Sequence, residues 1–418
     1  MLARARWEEG APRPENPDNV LVLGRALHPP WNEGTRAIAW TFARVASALR
    51  PVRVVSLTDD PEHARADACL PVHHLPVPRG GWLVSDYARF VPLLRSVRAL
   101  VQRDGVAVAH LFAGPELIAG WLRRSGARVV VHVTIAEHAY LGVGGRLRVA
   151  HGWRLVDRWV DAYALSSPAL AAPLVARGLN PAKLVTVPAA VDTDVYAPGE
   201  RAAARAQLGL QPNDPVLLYV GTLSPRRFPA AALRGVLGSV AHRLPRPLRF
   251  FGFAPALTHA YNQPWTARAQ REMQGIPNVR ASVVCADLTD AQKVAWFRAA
   301  DAVLIPFTAP VAVEPPLTLV EAMACGALVL STPIANRSGL IRSDHNGRIY
   351  ASPEQLQAHL LDALDDPFAS RLLALRRQAR HTAEEHHSFA TATAATLKLW
   401  QALDPARAQP CQRALHRP

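Results

Sequence analysis

Lysine is the scarcest charged residue in this chain of 418 residues, which contains only Lys183, Lys293 and Lys398. The formal net charge of +14 therefore comes almost entirely from arginine. Because the guanidinium group binds phosphate through two parallel hydrogen bonds, a functional surface of this kind attracts anionic lipid, an anionic acceptor or nucleic acid. A coding bias that replaces lysine by arginine explains the charge equally well. The sequence does not favour nucleic acid as a partner, because no DNA- or RNA-binding signature accompanies the arginines.

Cysteine is equally scarce. Cys69, Cys285, Cys325 and Cys411 are scattered and form no Cys-x-x-Cys pair. This pattern indicates neither a disulfide framework nor a thiolate metal site, and it fits a reducing cytoplasm.

Long apolar runs are also missing. The N-terminus has no apolar segment, and the stretch from Ala302 to Ala335 is interrupted by prolines and by Glu314 and Glu321. The sequence therefore predicts neither a signal peptide nor a transmembrane helix. We expect a cytoplasmic protein, with peripheral contact to the anionic inner membrane face left open by the basic charge.

The length predicts two domains of roughly 200 residues each. Residues 1–18 lack periodicity and are predicted to be disordered. Short apolar runs then alternate with helix-length intervals, as in a doubly wound parallel sheet. The runs that we interpret as strands begin at Val20, Val52, Val106, Arg128, Asp161, Leu184, Val216, Leu248, Val279, Ala302 and Ala327.

These segments predict an α/β protein with two Rossmann-like domains and a cleft between them. The domains span 19–187 and 201–385, joined by a linker at 188–200. Residues 354–381 are predicted to be helical. A last helix, from about Ser388 to Leu403, belongs to a C-terminal segment, 386–418, that we expect to return to the first domain.

The segment from Glu314 to Gly326, EPPLTLVEAMACG, places a helix start between two carboxylates. Proline is tolerated in the first turn of a helix, so we expect the helix to begin near Pro315 or Pro316. The amides of Leu317, Thr318 and Leu319 then lack intrahelical partners. Such amides at the positive end of a helix dipole bind phosphate.

Four blocks resemble the retaining glycosyltransferases of family 4, which have the GT-B fold of two facing Rossmann-like domains. The block from Tyr219 to Arg227, YVGTLSPRR, resembles the family's VGRLxxxKG block, and the segment from Glu314 to Gly326 resembles its two-glutamate signature. The run from Pro277 to Pro306 and the linker from Pro188 to Asp192 also match. Together the blocks span nearly all of residues 160 to 350.

The resemblance implies a hexosyltransferase-type enzyme that moves sugar from a UDP- or GDP-linked donor to an unidentified hydroxyl acceptor, with retention and without a metal or other cofactor. The implied catalytic residues are Arg227, Glu314 and His138, with His110 as a second candidate histidine. The implied donor-binding residues are Gly34, Gly221, Thr222, Arg226, Arg227, Leu317, Thr318, Leu319 and Glu321. Acceptor contacts are expected around Trp31, Trp82 and Tyr140.

This chain departs from the family pattern in the spacing of the two glutamates and in the first block. Glu314 and Glu321 are one residue closer than usual. In the first block, Thr222 stands where the family has arginine, Arg227 where it has lysine and Phe228 where it has glycine. These departures keep open an alternative function, that of a catalytically silent GT-B partner protein in a biosynthetic complex.

Three other patterns have plainer interpretations. Asp192-Thr-Asp194 is predicted to form a turn in the linker rather than a metal site. The glycines from Gly142 to Gly145 lack dinucleotide-binding spacing and are interpreted as a loop that faces the cleft. His386 and His387 are expected to precede a helix cap at Ser388.

Overall fold

The computed structural model describes residues 19–27, 33–58, 70–76, 87–112, 117–135, 157–256, 259–310 and 313–403. The expected disorder of residues 1–18, the glycine loop at 142–145, and His138, Trp31, Trp82 and Tyr140 all lie outside these ranges.

The N-terminal domain is built on a parallel sheet in the order β3-β2-β1-β4-β5-β6-β7. Its central strands are apolar on both faces because helices cover both sides. The strands are β1 (Asn19–Arg25), β2 (Val52–Thr58), β3 (Val72–Pro76), β4 (Val106–Leu111), β5 (Arg128–Val133), β6 (Ala162–Leu165) and β7 (Leu184–Thr186). The helices are α1 (Gly34–Ser47), α2 (Tyr87–Arg103), α3 (Leu117–Arg124) and the short α4 (Ala171–Val175).

The C-terminal domain repeats this architecture with a parallel sheet in the order β10-β9-β8-β11-β12-β13. Its strands are β8 (Val216–Val220), β9 (Leu248–Ala254), β10 (Val279–Cys285), β11 (Ala302–Ile305), β12 (Val329–Ser331) and β13 (Arg348–Ile349). Its helices are α5 (Arg201–Gln207), α6 (Ala230–Ala241), α7 (His259–Met273), α8 (Asp290–Ala299), α9 (Leu317–Ala324), α10 (Pro353–Asp365) and α11 (Ser370–His387), and α12 (Phe389–Leu403) follows. Two facing Rossmann-like domains with a C-terminal helix confirm the predicted fold class.

The single helical segment predicted for 354–381 is wrong, because α10 ends at Asp365 and α11 begins at Ser370. Pro367 explains the break: proline removes a backbone donor and disfavours helical geometry in the residue before it. Helix α11 then continues to His387, beyond the predicted end.

The chain crosses between the domains twice, and the two crossings contact each other. The backbone N–H of Val191 in the linker donates to the carbonyl of His387, at 2.8 Å. The buried His387 ring bonds through Nδ1 to the carbonyl of Ala189, at 2.7 Å. Ser388 caps α12 as predicted, because its hydroxyl accepts from the N–H of Thr391. Helix α12 then packs on α1 of the N-terminal domain.

A buried polar network anchors α12 in the N-terminal core. The indole N–H of Trp400 donates to Nε2 of His110, at 2.9 Å. His110 must then carry its proton on Nδ1, from which it donates to Nε2 of His132, at 2.8 Å. Burial lowers the pKa of His110 to about 3. His110 is therefore a neutral core residue, and the expectation that it could act near the reacting sugar is wrong.

Candidate active site

A cleft between the two domains lies beyond the carboxyl ends of the central strands, where ligands of such sheets bind. Its volume is about 300 Å³. The C-terminal domain provides most of the walls, and the N-terminal domain closes one side. The lining residues are Glu33, Gly34, Ala37, Ile135, Val220, Gly221, Thr222, Arg227, Phe253, Pro255, Ala286, Leu288, Lys293, Phe307, Val313, Pro316, Leu317, Thr318 and Glu321.

The N-terminus of α9 opens into this cleft. Pro316 is the N-cap and offers no side-chain acceptor to the first amides of the helix. In the described part of the chain, the N–H groups of Leu317 and Thr318 have no hydrogen-bond acceptor, and both residues line the cleft. They are positioned to bind an anion at the positive end of the helix dipole.

The expectation for Leu319 is wrong. Its N–H donates to the carbonyl of Pro316, at 3.0 Å, and the residue is fully buried. The first turn of α9 is tightened by this i to i+3 hydrogen bond, so two open amides remain there instead of three.

The loop after β8 carries a cation to the same cleft. Gly221 has a φ of 151°, which glycine adopts without steric cost. The hydroxyl of Tyr219 donates to the carbonyl of Thr222, at 2.8 Å, and so fixes the loop. Arg227 is half-buried and lines the cleft. Arg226 is exposed and outside the cleft lining, with its carbonyl accepting from the N–H of Thr308.

A buried polar cluster lies about one turn further along α9. Glu321 on α9 and Lys293 on α8 both line the cleft, and Lys293 Nζ lies 3.3 Å from Glu321 Oε1. Lys293 Nζ also lies 3.4 Å from the hydroxyl of Tyr196, which donates to Asp290 Oδ1 at 2.7 Å. The carboxylate is thus paired with a cation although both are mostly buried.

Apolar side chains continue the wall beside this cluster. Phe253 lies at the end of β9 and Pro255 directly after it, and Ala286 and Leu288 follow β10. A flat aromatic ligand fits apolar walls of this kind next to a few charged groups.

Glu314 does not line the cleft. Its Oε1 accepts from the N–H of Ser338, at 3.0 Å. Burial raises the pKa of this carboxyl to about 7, although Arg337 and Ser338 oppose the rise. Its backbone joins the domains, because its N–H donates to the carbonyl of Thr134 and its carbonyl accepts from the hydroxyl of Ser166. A contact to the sugar by Glu314 stays a prediction.

The N-terminal domain closes the cleft with the start of α1. A Cβ added to Gly34 would lie 2.9 Å from both methyl carbons of Val313 in the C-terminal domain. A side chain at this position would therefore push the two domains apart. Glu33 caps α1, because its carboxylate accepts from the N–H groups of Thr35 and Arg36. The first amides of α1 therefore already have an acceptor within the chain. The carboxylate of Glu33 brings a negative charge to the cleft.

The structure brings most of the expected donor-binding residues to one cleft. Arg226, Leu319 and Glu314 lie outside the cleft lining, and His138 falls outside the described residues. Those that line the cleft are Gly34, Gly221, Thr222, Arg227, Leu317, Thr318 and Glu321.

Sequence reasoning missed two charged residues of the cleft, Lys293 and Glu33. For Lys293, the available signal was the rarity of lysine, because nearly all the cations of this chain are arginines. For Glu33, the signal was an acidic residue directly before a helix start.

Asp192 forms the predicted turn. Its Oδ1 accepts from the N–H groups of Asp194 and Val195, and its Oδ2 pairs with Arg44 at 2.9 Å. Among the residues that the structure describes, no group of three or more His, Cys, Asp or Glu side chains is arranged to hold a metal. Within the same ranges, no helix is both long and apolar enough to cross a membrane.

In comparisons with known proteins, residues 200–386 match the family model for glycosyl transferases group 1. Over 197 residues the chain is 32% identical to D-inositol 3-phosphate glycosyltransferase 2 of Catenulispora acidiphila, a match that covers 44% of each protein. Over 211 residues it is 31% identical to D-inositol 3-phosphate glycosyltransferase of Mycobacterium tuberculosis, covering 49% of this chain and 41% of that one. The chain therefore spans less than half the length of these relatives.

Solved structures match over nearly the whole chain. Anabaena HepE in complex with UDP has a TM-score of 0.68 at 17% identity, covering 92% of this chain and 100% of that one. HepE in complex with UDP-glucose has a TM-score of 0.68 at 16% identity, covering 93% and 100%. A glycosyltransferase from Rickettsia africae has a TM-score of 0.70 at 11% identity, covering 93% and 99%. The chain thus has the GT-B fold, and its segment 200–386 is similar to the glycosyl transferases of group 1.

Proposed function

We propose that this protein is a retaining glycosyltransferase that moves a sugar from a nucleotide-sugar donor to a hydroxyl acceptor without a metal. The observation that carries the proposal is the α9 start, which presents two open amides to a cleft that Arg227 and the Lys293–Glu321 pair also line. This combination suits a nucleoside diphosphate, with its diphosphate on the amides and its ribose at Glu321.

The electrostatics suit the departure of a diphosphate. When the glycosidic bond breaks, the sugar becomes oxocarbenium-like and negative charge develops on the leaving phosphate. Helix amides and an arginine stabilise that charge directly, so this assignment of roles needs no cation from solution.

In the proposed front-face reaction, the bond from the anomeric carbon to the diphosphate oxygen breaks as the acceptor oxygen bonds to the same face. The proton of the acceptor hydroxyl passes to the departing phosphate. Retention then follows without a carboxylate nucleophile.

UDP is the preferred nucleotide, and a GDP-linked donor is the alternative. Structural neighbours have been solved with UDP and UDP-glucose, and the segment 200–386 resembles group 1 glycosyl transferases. D-inositol 3-phosphate, the substrate that the names of two relatives print, belongs in any acceptor screen.

One observation favours the alternative of a catalytically silent partner. The carboxylate of Glu314 is engaged by Ser338 and lies outside the cleft lining. A silent protein would bind the nucleotide and leave the donor sugar intact.

Slow donor hydrolysis separates the two functions. The protein is incubated with UDP-glucose, other UDP-sugars or GDP-sugars in EDTA, without acceptor, and the released nucleotide is measured. The enzyme is expected to release UDP or GDP above the rate of a Glu321→Ala, Arg227→Ala double variant. Nucleotide binding without release from any donor, with or without acceptors, would support the silent partner and contradict the transferase.

A further inference from the structure

Lys293 lies in the part of the cleft where the proposed function places the nucleoside. It is one of three lysines in a chain with 47 lysine and arginine residues. Unlike Lys398, which is exposed on α12, it is mostly buried and lines the cleft. A buried ammonium group is unfavourable unless it is paired, so its partners indicate its purpose.

The contacts of Lys293 form a directed chain. Asp290 accepts a hydrogen bond from the hydroxyl of Tyr196, so the oxygen of that hydroxyl can accept a hydrogen bond from Lys293. Lys293 then donates to Glu321 Oε1 at 3.3 Å. Since Tyr196 belongs to the linker region and Lys293 to α8, two elements outside α9 determine where the carboxylate points.

Glu321 has no other hydrogen-bond donor to its carboxylate among the residues that the structure describes. A carboxylate can accept about four hydrogen bonds, so Oε1 can accept a further one and Oε2 can accept two. The two hydroxyl groups of a ribose offer two adjacent donors to such an acceptor. A carboxylate held by one oxygen presents a fixed geometry to this diol.

We infer that Lys293 is the positioning residue of the nucleoside end, holding Glu321 in the orientation that accepts both ribose hydroxyls. The inference rests on the proposed function, because it assumes that a ribonucleotide enters the cleft. It assigns to Lys293 the preference of the site for ribose over 2′-deoxyribose.

The test measures the affinities of UDP and 2′-deoxy-UDP by calorimetry for the wild type, Lys293→Met, Glu321→Gln and the double variant. The wild type is expected to bind UDP about tenfold or more tightly than 2′-deoxy-UDP, as for a hydrogen bond to a charged group. Lys293→Met is expected to weaken UDP binding by about tenfold and to bring the ratio close to one. Lys398→Met is the matched control, and it should leave both affinities unchanged.

The ratio separates positioning from a merely structural role. A general loosening of the site would weaken both nucleotides equally, whereas loss of positioning affects mainly the nucleotide that has both hydroxyls. An unchanged ratio in Lys293→Met would overturn the inference.

The double variant covers the case in which Lys293→Met does not fold because Glu321 is left buried and unpaired. Lys293→Met/Glu321→Gln contains neither charge, and its UDP affinity should equal that of Glu321→Gln, because Lys293 acts through Glu321. Tenfold weaker binding by the double variant would show an independent role and overturn the inference. If the wild type binds neither nucleotide, the proposed function itself fails.

Discussion

Arg227 and Glu321 reach the cleft from different elements and are expected to affect different steps. Glu321→Ala should weaken UDP binding by about tenfold or more, since a charged acceptor of the ribose is lost. Arg227→Ala should mainly lower turnover, because the charge that it stabilises is greatest as the bond breaks. Steady-state kinetics with calorimetry measure both effects.

Arg226 provides the matched control for Arg227, since it is the adjacent arginine and lies outside the cleft lining. Arg226→Ala should behave like the wild type. Slow turnover in Arg226→Ala with normal turnover in Arg227→Ala would show that Arg226, and not Arg227, stabilises the charge of the leaving diphosphate.

The buried carboxyl of Glu314 makes a prediction about pH. Its pKa of about 7 in the folded protein exceeds the ordinary value of 4.5, so the folded state keeps a proton that the unfolded state has lost between these values. The free energy of unfolding therefore falls as the pH rises through this window, by on the order of 3 kcal/mol. Glu314→Gln should remove this fall, as urea denaturation at pH 5 and pH 7.5 would show.

The comparison with Glu314→Gln is needed because buried histidines act in the opposite direction. Burial lowers the pKa of His387 to about 4 and that of His110 to about 3, so their contribution to stability is lost as the pH falls below about 6.5. These contributions are the same in both proteins and cancel in the difference. If the free energy of unfolding of the wild type and that of Glu314→Gln differed by the same amount at pH 5 and pH 7.5, the raised pKa of Glu314 would be contradicted.

At the scale of elements, the sequence predicted best where one local cause decides the structure. Strands β4, β5 and β8 begin at the predicted residues because buried parallel strands are continuous apolar runs. The start of α9 follows from its prolines. Strand β3 was not predicted, because a run containing His73, His74 and Pro76 at a sheet edge lacks that pattern.

Helix α12 depends on a contact that no local pattern predicts. Trp400→Phe keeps the aromatic packing but leaves Nε2 of the buried His110 without its donor. The free energy of unfolding should fall by about 1–3 kcal/mol, measured by urea denaturation. Trp265→Phe is the matched control, because that half-buried indole has no hydrogen bond among the described residues. Equal effects of the two changes would contradict the role of the buried network.

At the scale of the whole molecule, the two domains meet where Gly34 faces Val313. Gly34→Ala places a methyl group 2.9 Å from the methyl carbons of Val313, and we expect the cleft to open and UDP binding to weaken by about tenfold. Val313→Ala removes those methyl groups, so Gly34→Ala/Val313→Ala should recover most of the affinity. Calorimetry on the two variants tests this, and a double variant as weak as Gly34→Ala would contradict direct contact across the cleft.

The site could be predicted only as far as its residues are close in sequence. The α9 start and the loop after β8 were located from single blocks of the chain. The pairing of Lys293 with Glu321 and of Glu314 with Ser338 arises from tertiary packing, in which α8 meets α9 and a later loop covers Glu314. A sequence pattern carries no signal for such contacts, so the partners of Lys293 and of the Glu314 carboxylate could not be predicted from the sequence.

The central claim is that the cleft binds a nucleoside diphosphate on the start of α9, with its ribose at Glu321. Calorimetric titration of UDP and GDP into the 418-residue chain, in buffer containing EDTA, tests this claim. We expect saturable binding of at least one of them, at one site per chain, and a loss of affinity of about tenfold or more in Glu321→Ala. No binding of either nucleotide, or equal binding by the wild type and Glu321→Ala, would contradict it.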